Sequence, residues 1–340
     1  MQRVFLATAF FLGLAGQAAA RDLEIFFIDV EGGQATLVVT PAGQSLLIDA
    51  GYGGNRGPRD AERILAVARD QARLERIDYL LVTHFHPDHV GGVPSVIAGI
   101  PIGTFIDYGE PTGTDRMSGG GFRAYEPLRA GHPHIVPQPG DKLPFEGLDT
   151  IVLSAAGELV ANPLSGAGRT NPACASLEDH VEDGTENYRS IGIRLAFGDF
   201  RFVDLGDLSG NTLGKLVCPI DRVGEASVYL VAHHGNYDAN VPAVVAALRP
   251  QAAILNNGAI KGGVADSFAT LRAQPGMDLW QLHESRNDGA LNSPADFIAN
   301  VDDGATAFYL KLTARQDGSF EIANSRTGFV KRYPAPGDPR

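Results

Sequence analysis

Sulfur and positive charge are both scarce in this chain. Only two cysteines, Cys174 and Cys218, occur in 340 residues, and neither has ligand-type neighbours, which argues against a cysteine-bound metal. Lysine and arginine total 28 against 40 acidic residues, giving a formal net charge of −12 and a pI near 5.2. A surface of that sign repels polyanions at long range, so no dedicated nucleic-acid-binding surface is expected. Beyond residue 20 no apolar run is long enough to span a bilayer. No G-x-S-x-G elbow marks a serine nucleophile, and no tandem repeat stands at solenoid spacing. Hydrophobic content is 44%, ordinary for a globular core.

The first twenty residues read differently from the rest. Arg3 gives a positive start, residues 4–14 are mostly apolar, and Ala18-Ala19-Ala20 is a small-residue cleavage site. This is the pattern of a secretory signal peptide over 1–20. It predicts a mature chain that starts near Arg21, is periplasmic or secreted, and has no membrane span after cleavage. Residues 21–340 are then expected to form a single domain. In an oxidising compartment Cys174 and Cys218 can join as one disulfide or remain two thiols.

Nine histidines are present, and three of them fall with an aspartate inside His84-Phe85-His86-Pro87-Asp88-His89. A short buried strand is expected over 79–82, and Pro87 prevents ladder pairing beyond it. Gly91 and Gly92 then allow a tight turn into a helix. His84 and His86 alternate, so on an extended chain their side chains leave on the same side and can share one ion. Asp88 and His89 come after the turn and can face a second ion. Imidazole nitrogen with carboxylate oxygen suits zinc or a similar first-row metal.

The run from Thr83 to Gly92 resembles the HxHxDH signature of the metallo-β-lactamase superfamily. Asp29-Val30-Glu31-Gly32-Gly33-Gln34-Ala35 is similar to the opening of its ComEC-like branch, which includes the nuclease domain of DNA-uptake proteins, although Glu31 and an extra glycine interrupt the match. The resemblance implies an α/β fold, the αββα sandwich, with two mixed sheets inside and helices outside. Strand patterns at 23–49, 79–107 and 188–231 agree in class. Asp49, at the end of the strand over 45–48, then takes the part of an aspartate that orients the histidine loop by hydrogen bonding. Gly206-Asp207, after a hairpin turning at Gly198-Asp199, resembles the later metal-bridging aspartate. Ala232-His233-His234-Gly235 resembles the last metal motif, with His234 preferred as ligand and His233 as its neighbour, a substrate contact or proton shuttle.

One departure stands out. Many superfamily members carry a histidine before the hairpin, where this chain reads Asn187-Tyr188-Arg189-Ser190. The ComEC-like branch has a similar Asn-x-x-Ser, so Asn187 and Ser190 are candidates to contact the bound water or a substrate oxygen, and His180 is a lesser candidate to fill the gap. Elsewhere, residues 109–147 read as a Gly- and Pro-rich loop bordering the site, His132 and His134 as loop residues without metal, residues 59–73 as an amphipathic helix, and Lys261 and His283 as residues that can approach the site.

The resemblance thus implies two divalent ions, Zn2+ with Mn2+ as the alternative. His84 and His86 would hold the first and Asp88, His89 and His234 the second, with Asp207 bridging. Asp88 and Asp207 are the implied catalytic carboxylates. A bridging hydroxide would attack phosphorus or carbonyl carbon, its pKa brought from about 15.7 to roughly 7 by the ions. The expected substrate is a small-molecule or polymer phosphoester, a phosphodiester included. The alternatives are a lactone, β-lactam or other ester or amide, or an exported metal-binding module without turnover.

Overall fold

The computed structural model describes residues 21–177, 179, 184–239, 241–302 and 308–337. The signal peptide expected over 1–20, and His180, lie outside the described residues. In chain order the strands and helices are β1 (Leu23–Ile28), β2 (Thr36–Val39), β3 (Ser45–Ile48), α1 (Arg59–Ala66), β4 (Ile77–Leu81), α2 (Pro87–Val90), α3 (Val93–Gly99), β5 (Ile102–Ile106), α4 (Arg116–Arg129), β6 (His134–Ile135), β7 (Lys142–Leu143), β8 (Asp149–Ala155) and β9 (Glu158–Leu159). They continue with β10 (Gly192–Phe197), β11 (Phe200–Asp204), α5 (Gly210–Val217), β12 (Val228–Leu230), α6 (Pro242–Leu248), β13 (Ala252–Leu255), α7 (Ala265–Arg272), β14 (Asp278–His283), β15 (Ile298–Asn300), β16 (Tyr309–Ala314), β17 (Phe320–Asn324) and β18 (Val330–Tyr333).

Two sheets form. The first runs β18-β17-β16-β1-β2-β3-β4-β5-β6 and the second β15-β14-β13-β12-β11-β10-β8-β7, with β9 beside β8. Each is mixed in the same way: antiparallel pairs lead into a parallel block, β3 to β6 in one sheet and β11 to β15 in the other. Their inner faces meet in one core, where Phe27 of β1 packs edge-on against Phe202 of β11 with ring centroids 5.7 Å apart. Trp280 of β14 donates its indole N–H to the Tyr333 hydroxyl of β18 at 2.8 Å, a buried polar tie across the sandwich. Helices α5, α6 and α7 cover the outside of the second sheet through Leu213, Leu216, Val244, Leu248, Phe268 and Leu271. This is the α/β architecture of two mixed sheets with flanking helices.

Parallel strands send their carboxyl ends to the same edge, and crossover loops there are where side chains can converge. Asp49 follows β3, the histidine run follows β4, Asp207 follows β11, and His233 and His234 follow β12.

One expectation is corrected. Residues 109–147 are not all loop, because α4 occupies 14 of them. Its Gly119-Gly120-Gly121 run looks like loop, but Gly121 serves close packing. A Cβ on Gly121 would stand 2.0 Å from the Phe85 carbonyl oxygen, so only glycine lets the helix lie on the histidine loop. Asp115 caps the helix, accepting from the Met117 N–H at 2.9 Å, and Phe122 and Tyr125 bury against Phe85. The helix expected over 59–73 also divides. α1 ends at Ala66, and a wider turn over Val67–Gln71 carries the chain on, with Ile64, Val67 and Ala68 buried as its apolar pattern requires.

Candidate metal centre

The first half of the centre is built on Asp49. Its backbone is left-handed, φ 59, which a short polar residue tolerates better than most. The carboxylate accepts from the Thr83 N–H (2.8 Å) and hydroxyl (2.6 Å) and stands 2.6 Å from His89 Nδ1. Pro87 begins the turn of α2, where a missing N–H costs nothing, and the His86 carbonyl accepts from the N–H groups of His89 and Val90. That turn rolls Asp88 and His89 inward. Gly92 is required behind it, since a Cβ there would meet the Ala50 carbonyl at 2.0 Å.

The second half is built on Asp204. Its carboxylate accepts from the Gly206 N–H (2.9 Å) and from Gln34 Nε2 (2.8 Å), while the Gln34 N–H donates to the Asp88 carbonyl (3.1 Å). Gln34 thus spans the two halves. Burial raises the Asp204 pKa to about 7 despite these donors. Asp207 donates its N–H to Ser190 Oγ at 3.3 Å, and the His233 N–H donates to the Gly206 carbonyl at 3.0 Å. His233 and His234 are both left-handed, φ 46 and 55, a strained path for two consecutive bulky residues.

The two halves meet at Asp88, His89, Asp207 and His234, all buried, each offering a ligand atom within 4.8 Å of the others. His89 Nε2 lies 3.1 Å from Asp207 Oδ2 and 3.3 Å from Asp88 Oδ2; His234 Nε2 lies 3.3 Å from Asp88 Oδ2 and from Asp207 Oδ1. His84 Nε2 is 3.8 Å from Asp207 Oδ2. The Nε2 atoms of His84, His89 and His234 and Oδ1 of Asp207 are buried without a hydrogen-bond partner. Buried polar atoms are rarely left so. A divalent cation is a ligand that can satisfy borderline nitrogens and hard carboxylate oxygens together, and the residues present fit one.

The electrostatics agree. Burial opposes ionisation of Asp88 and Asp207, yet Lys261 and His89 beside Asp88, and His234, His89 and His233 beside Asp207, hold both carboxyls well below the usual range. Burial also opposes charge on His89, but Asp207, Asp88 and Asp49 raise its pKa well above the ordinary value. His84 goes the other way, lowered by burial and by neighbouring His89 and His86.

Of the other residues singled out, His86 lies outside the four-residue cluster with Nε2 held 2.6 Å from Asp115 Oδ2, its ring edge-on to His84. Burial opposes ionisation of Asp115, but His86, Ser118 and the Met117 N–H lower its pKa to about 2. His233 pairs through Nδ1 with Asp238 (2.7 Å), and Asn187 Nδ2 lies 3.5 Å from its Nε2. Lys261 bonds Asp88 and sits over the Tyr52 ring. His86, Asn187, His233, Asp238, Lys261 and Tyr52 line a cleft of about 370 Å3 that Met117 and the exposed Tyr237 also border. His134 is elsewhere, 2.9 Å from Asp107 beside Arg129, and His132 packs on Phe105. Nδ1 of His283 meets the Glu284 carbonyl. Cys174 and Cys218 are joined as a disulfide. Asp115 and Asp238 were not found from sequence, and Gln34 stood in the Asp29–Ala35 motif without a role. Asp115 had a signal, a cap-type residue just before a helix; Asp238 had none.

A family model described as the metallo-beta-lactamase superfamily matches residues 28–168, the part that carries the histidine run. That match covers less than half of the chain, within an α/β fold of two mixed sheets flanked by helices. Among curated proteins, a hydroxyacylglutathione hydrolase of Stenotrophomonas maltophilia is 41% identical over 66 residues, 18% of this chain and 25% of that protein. The match thus spans a quarter of the relative's length. Among solved structures, CmlA, a diiron beta-hydroxylase from Streptomyces venezuelae, aligns at TM-score 0.39 and 17% identity over 69% of this chain and 44% of its own. A metallo hydrolase from Ignicoccus hospitalis aligns at TM-score 0.41 and 13% identity over 76% of this chain and 94% of its own. The matched segment supplies Asp49 and the loop after β4, whereas Asp207, His233 and His234 lie beyond it.

Proposed function

We propose that this chain is an exported dinuclear metal-dependent hydrolase of the ComEC-like branch, zinc-loaded with manganese as a substitute, acting on a phosphoester or phosphodiester. One observation carries the metal reading. Four histidine Nε2 atoms, of His84, His89, His233 and His234, lie within 3.8 Å of the Asp207 carboxylate, and three of them have no hydrogen bond. Cations bound there would acidify water and take up negative charge on a substrate oxygen. The chain's own part is to hold and orient. Asp49 fixes the His89 ring, Ser190 fixes the Asp207 backbone, and the Asp49 and Asp238 carboxylates set which nitrogen of His89 and of His233 faces inward.

The phosphoester reading is supported by the residues resembling the ComEC-like opening and by Lys261 on the cleft wall. Burial opposes the Lys261 charge, but Asp88, Asp207 and Tyr52 raise its pKa, so it stays cationic and attracts an anionic substrate. The Cys174–Cys218 disulfide supports an oxidising compartment, periplasmic or extracellular. A second reading, cleavage of a carboxylic ester, lactone or β-lactam, is favoured by the segment shared with a hydroxyacylglutathione hydrolase.

The test is hydrolysis of bis(p-nitrophenyl) phosphate beside a chromogenic β-lactam, with the metal quantified. Chelator-sensitive phosphodiester cleavage is expected. Lactam cleavage alone moves the protein to the second reading. Two bound metals with neither activity removes the phosphodiester assignment and leaves a metal-binding module.

A further inference from the structure

The histidine missing before the hairpin leaves the first cation with His84 and His86 from the β4 loop. The structure offers a replacement from the opposite side. Around Asp207 three of the four imidazoles share a pattern: an oxygen sits by one ring nitrogen and the other nitrogen faces the carboxylate; His234 lacks the oxygen at Nδ1. Thr83 Oγ1 is 3.2 Å from His84 Nδ1, whose Nε2 is 3.8 Å from Asp207 Oδ2. Asp49 Oδ2 is 2.6 Å from His89 Nδ1, whose Nε2 is 3.1 Å from Asp207 Oδ2. His233 repeats the arrangement, with Nδ1 2.7 Å from Asp238 Oδ1 and Nε2 3.7 Å from Asp207 Oδ2.

That His233–Asp238 pair has the form of a carboxylate–histidine–metal relay, in which the outer carboxylate fixes the tautomer and raises ligand basicity. The histidine is buried and left-handed at φ 46, so its side chain is delivered inward at a backbone cost. Besides Asp207, its Nε2 meets Asn187 Nδ2 at 3.5 Å, the outer limit of a hydrogen bond. A histidine acting only on substrate would not need to approach the same carboxylate oxygen as His84.

We infer that His233 completes the first cation site, binding through Nε2 beside His84 and His86, with Asp238 as its positioning residue. Both histidines of the His233-His234 pair are then ligands, one for each cation. This rests on the two-cation reading above.

The experiment is zinc titration of the purified protein against a competing chelator, with the visible spectrum of the cobalt-substituted form as a second readout. The variants are His233→Asn and Asp238→Asn. Asparagine tolerates the left-handed backbone and lacks the reach of Nε2. Wild type should hold two zinc ions. His233→Asn should keep one and lose one set of cobalt bands. Asp238→Asn should weaken the same site by roughly 10–100-fold and leave the other unchanged. Two zinc ions of unchanged affinity in His233→Asn, with the wild-type cobalt spectrum, would sink the proposal while sparing the two-cation reading. Should His233→Asn fail to fold, unchanged affinity in Asp238→Asn overturns it instead. Fewer than two zinc ions in wild type overturns the two-cation reading, and this inference with it.

Discussion

The loop after β4 gathers its candidate ligands within six positions of chain and rolls them inward on a regular helical turn. The loop after β12 delivers His233 and His234 from left-handed backbone, each costing on the order of 1–3 kcal/mol. The first loop needs little strain because it is propped from outside: Asp49 beneath, Gly92 behind, and α4 across it through Gly121. The second is held mainly by main-chain bonds, His233 N–H to the Gly206 carbonyl and Gly263 N–H to the His234 carbonyl at 2.8 Å, with Ser267 of α7 donating to the Asn236 carbonyl at 3.4 Å. A regular turn advertises itself in sequence; a strained one is recognised only by its company.

Asp207 is where the two loops touch, so removing it should break both. Asp207→Ala is expected to drop turnover of bis(p-nitrophenyl) phosphate by at least ~10^3-fold, on the scale of losing a transition-state contact, and to lower bound zinc. Full activity in that variant would make the convergence on Asp207 incidental. A smaller effect should separate the loops. Asp115→Asn removes the charge that holds His86 and leaves the loop after β12 untouched, although the carboxylate also accepts from the Glu186 N–H. Metal affinity should fall by roughly 10–100-fold at one site with the other preserved, as read by chelator competition.

Stability rather than affinity reports on the prop. Gly121→Ala sets a Cβ against the Phe85 carbonyl, so α4 must lift from the loop, and urea unfolding should show a loss of about 1–3 kcal/mol. Alanine is the better helix former, so a gain in stability would mean that α4 is not clamped there.

The smallest effect sharpens the other side. Asp204 has its pKa raised by burial from 3.8 to about 7, so the folded state holds this proton more tightly than the unfolded chain. Its contribution is therefore fully present below the unfolded value and is lost as pH rises through about 7, at up to ~1.4 kcal/mol per pH unit. In chelator-treated protein, wild type should lose stability between pH 5 and 7 more steeply than Asp204→Asn. Identical slopes would show that Asp204 does not carry the dependence. Asp29, also raised to about 7 by burial, stays in both proteins and cancels in the comparison.

The sandwich class and the edge where the strands converge were readable because alternating strands, the histidine run, Gly206-Asp207 and His233-His234 come in a telling order. Helix α4 was not. Its Gly119-Gly120-Gly121 and Pro127 carry the local signature of a loop, and the contact that makes glycine necessary lies on Phe85, far away in sequence. Asp238 and the partner of Gln34 were hidden for the same reason. A carboxylate five residues beyond His233 has no local mark, and the Gln34–Asp204 bond joins positions 170 residues apart. Disulfide pairing was open until the fold brought Cys174 and Cys218 to a Cα separation of 5.7 Å.

The placement of β1 has a consequence for how the molecule is made. On one side β1 pairs with β2, its near neighbour in sequence, and on the other with β16, close to the end of the chain. While the ribosome is still working toward residue 314, the first strand keeps a bare hydrogen-bonding edge next to a largely finished centre. Such an edge is a template for pairing with another nascent chain. A molecule stopped short of β16 would hold every named residue of the centre and still be prone to aggregate, so the β16 pairing guards a site built from other parts of the chain.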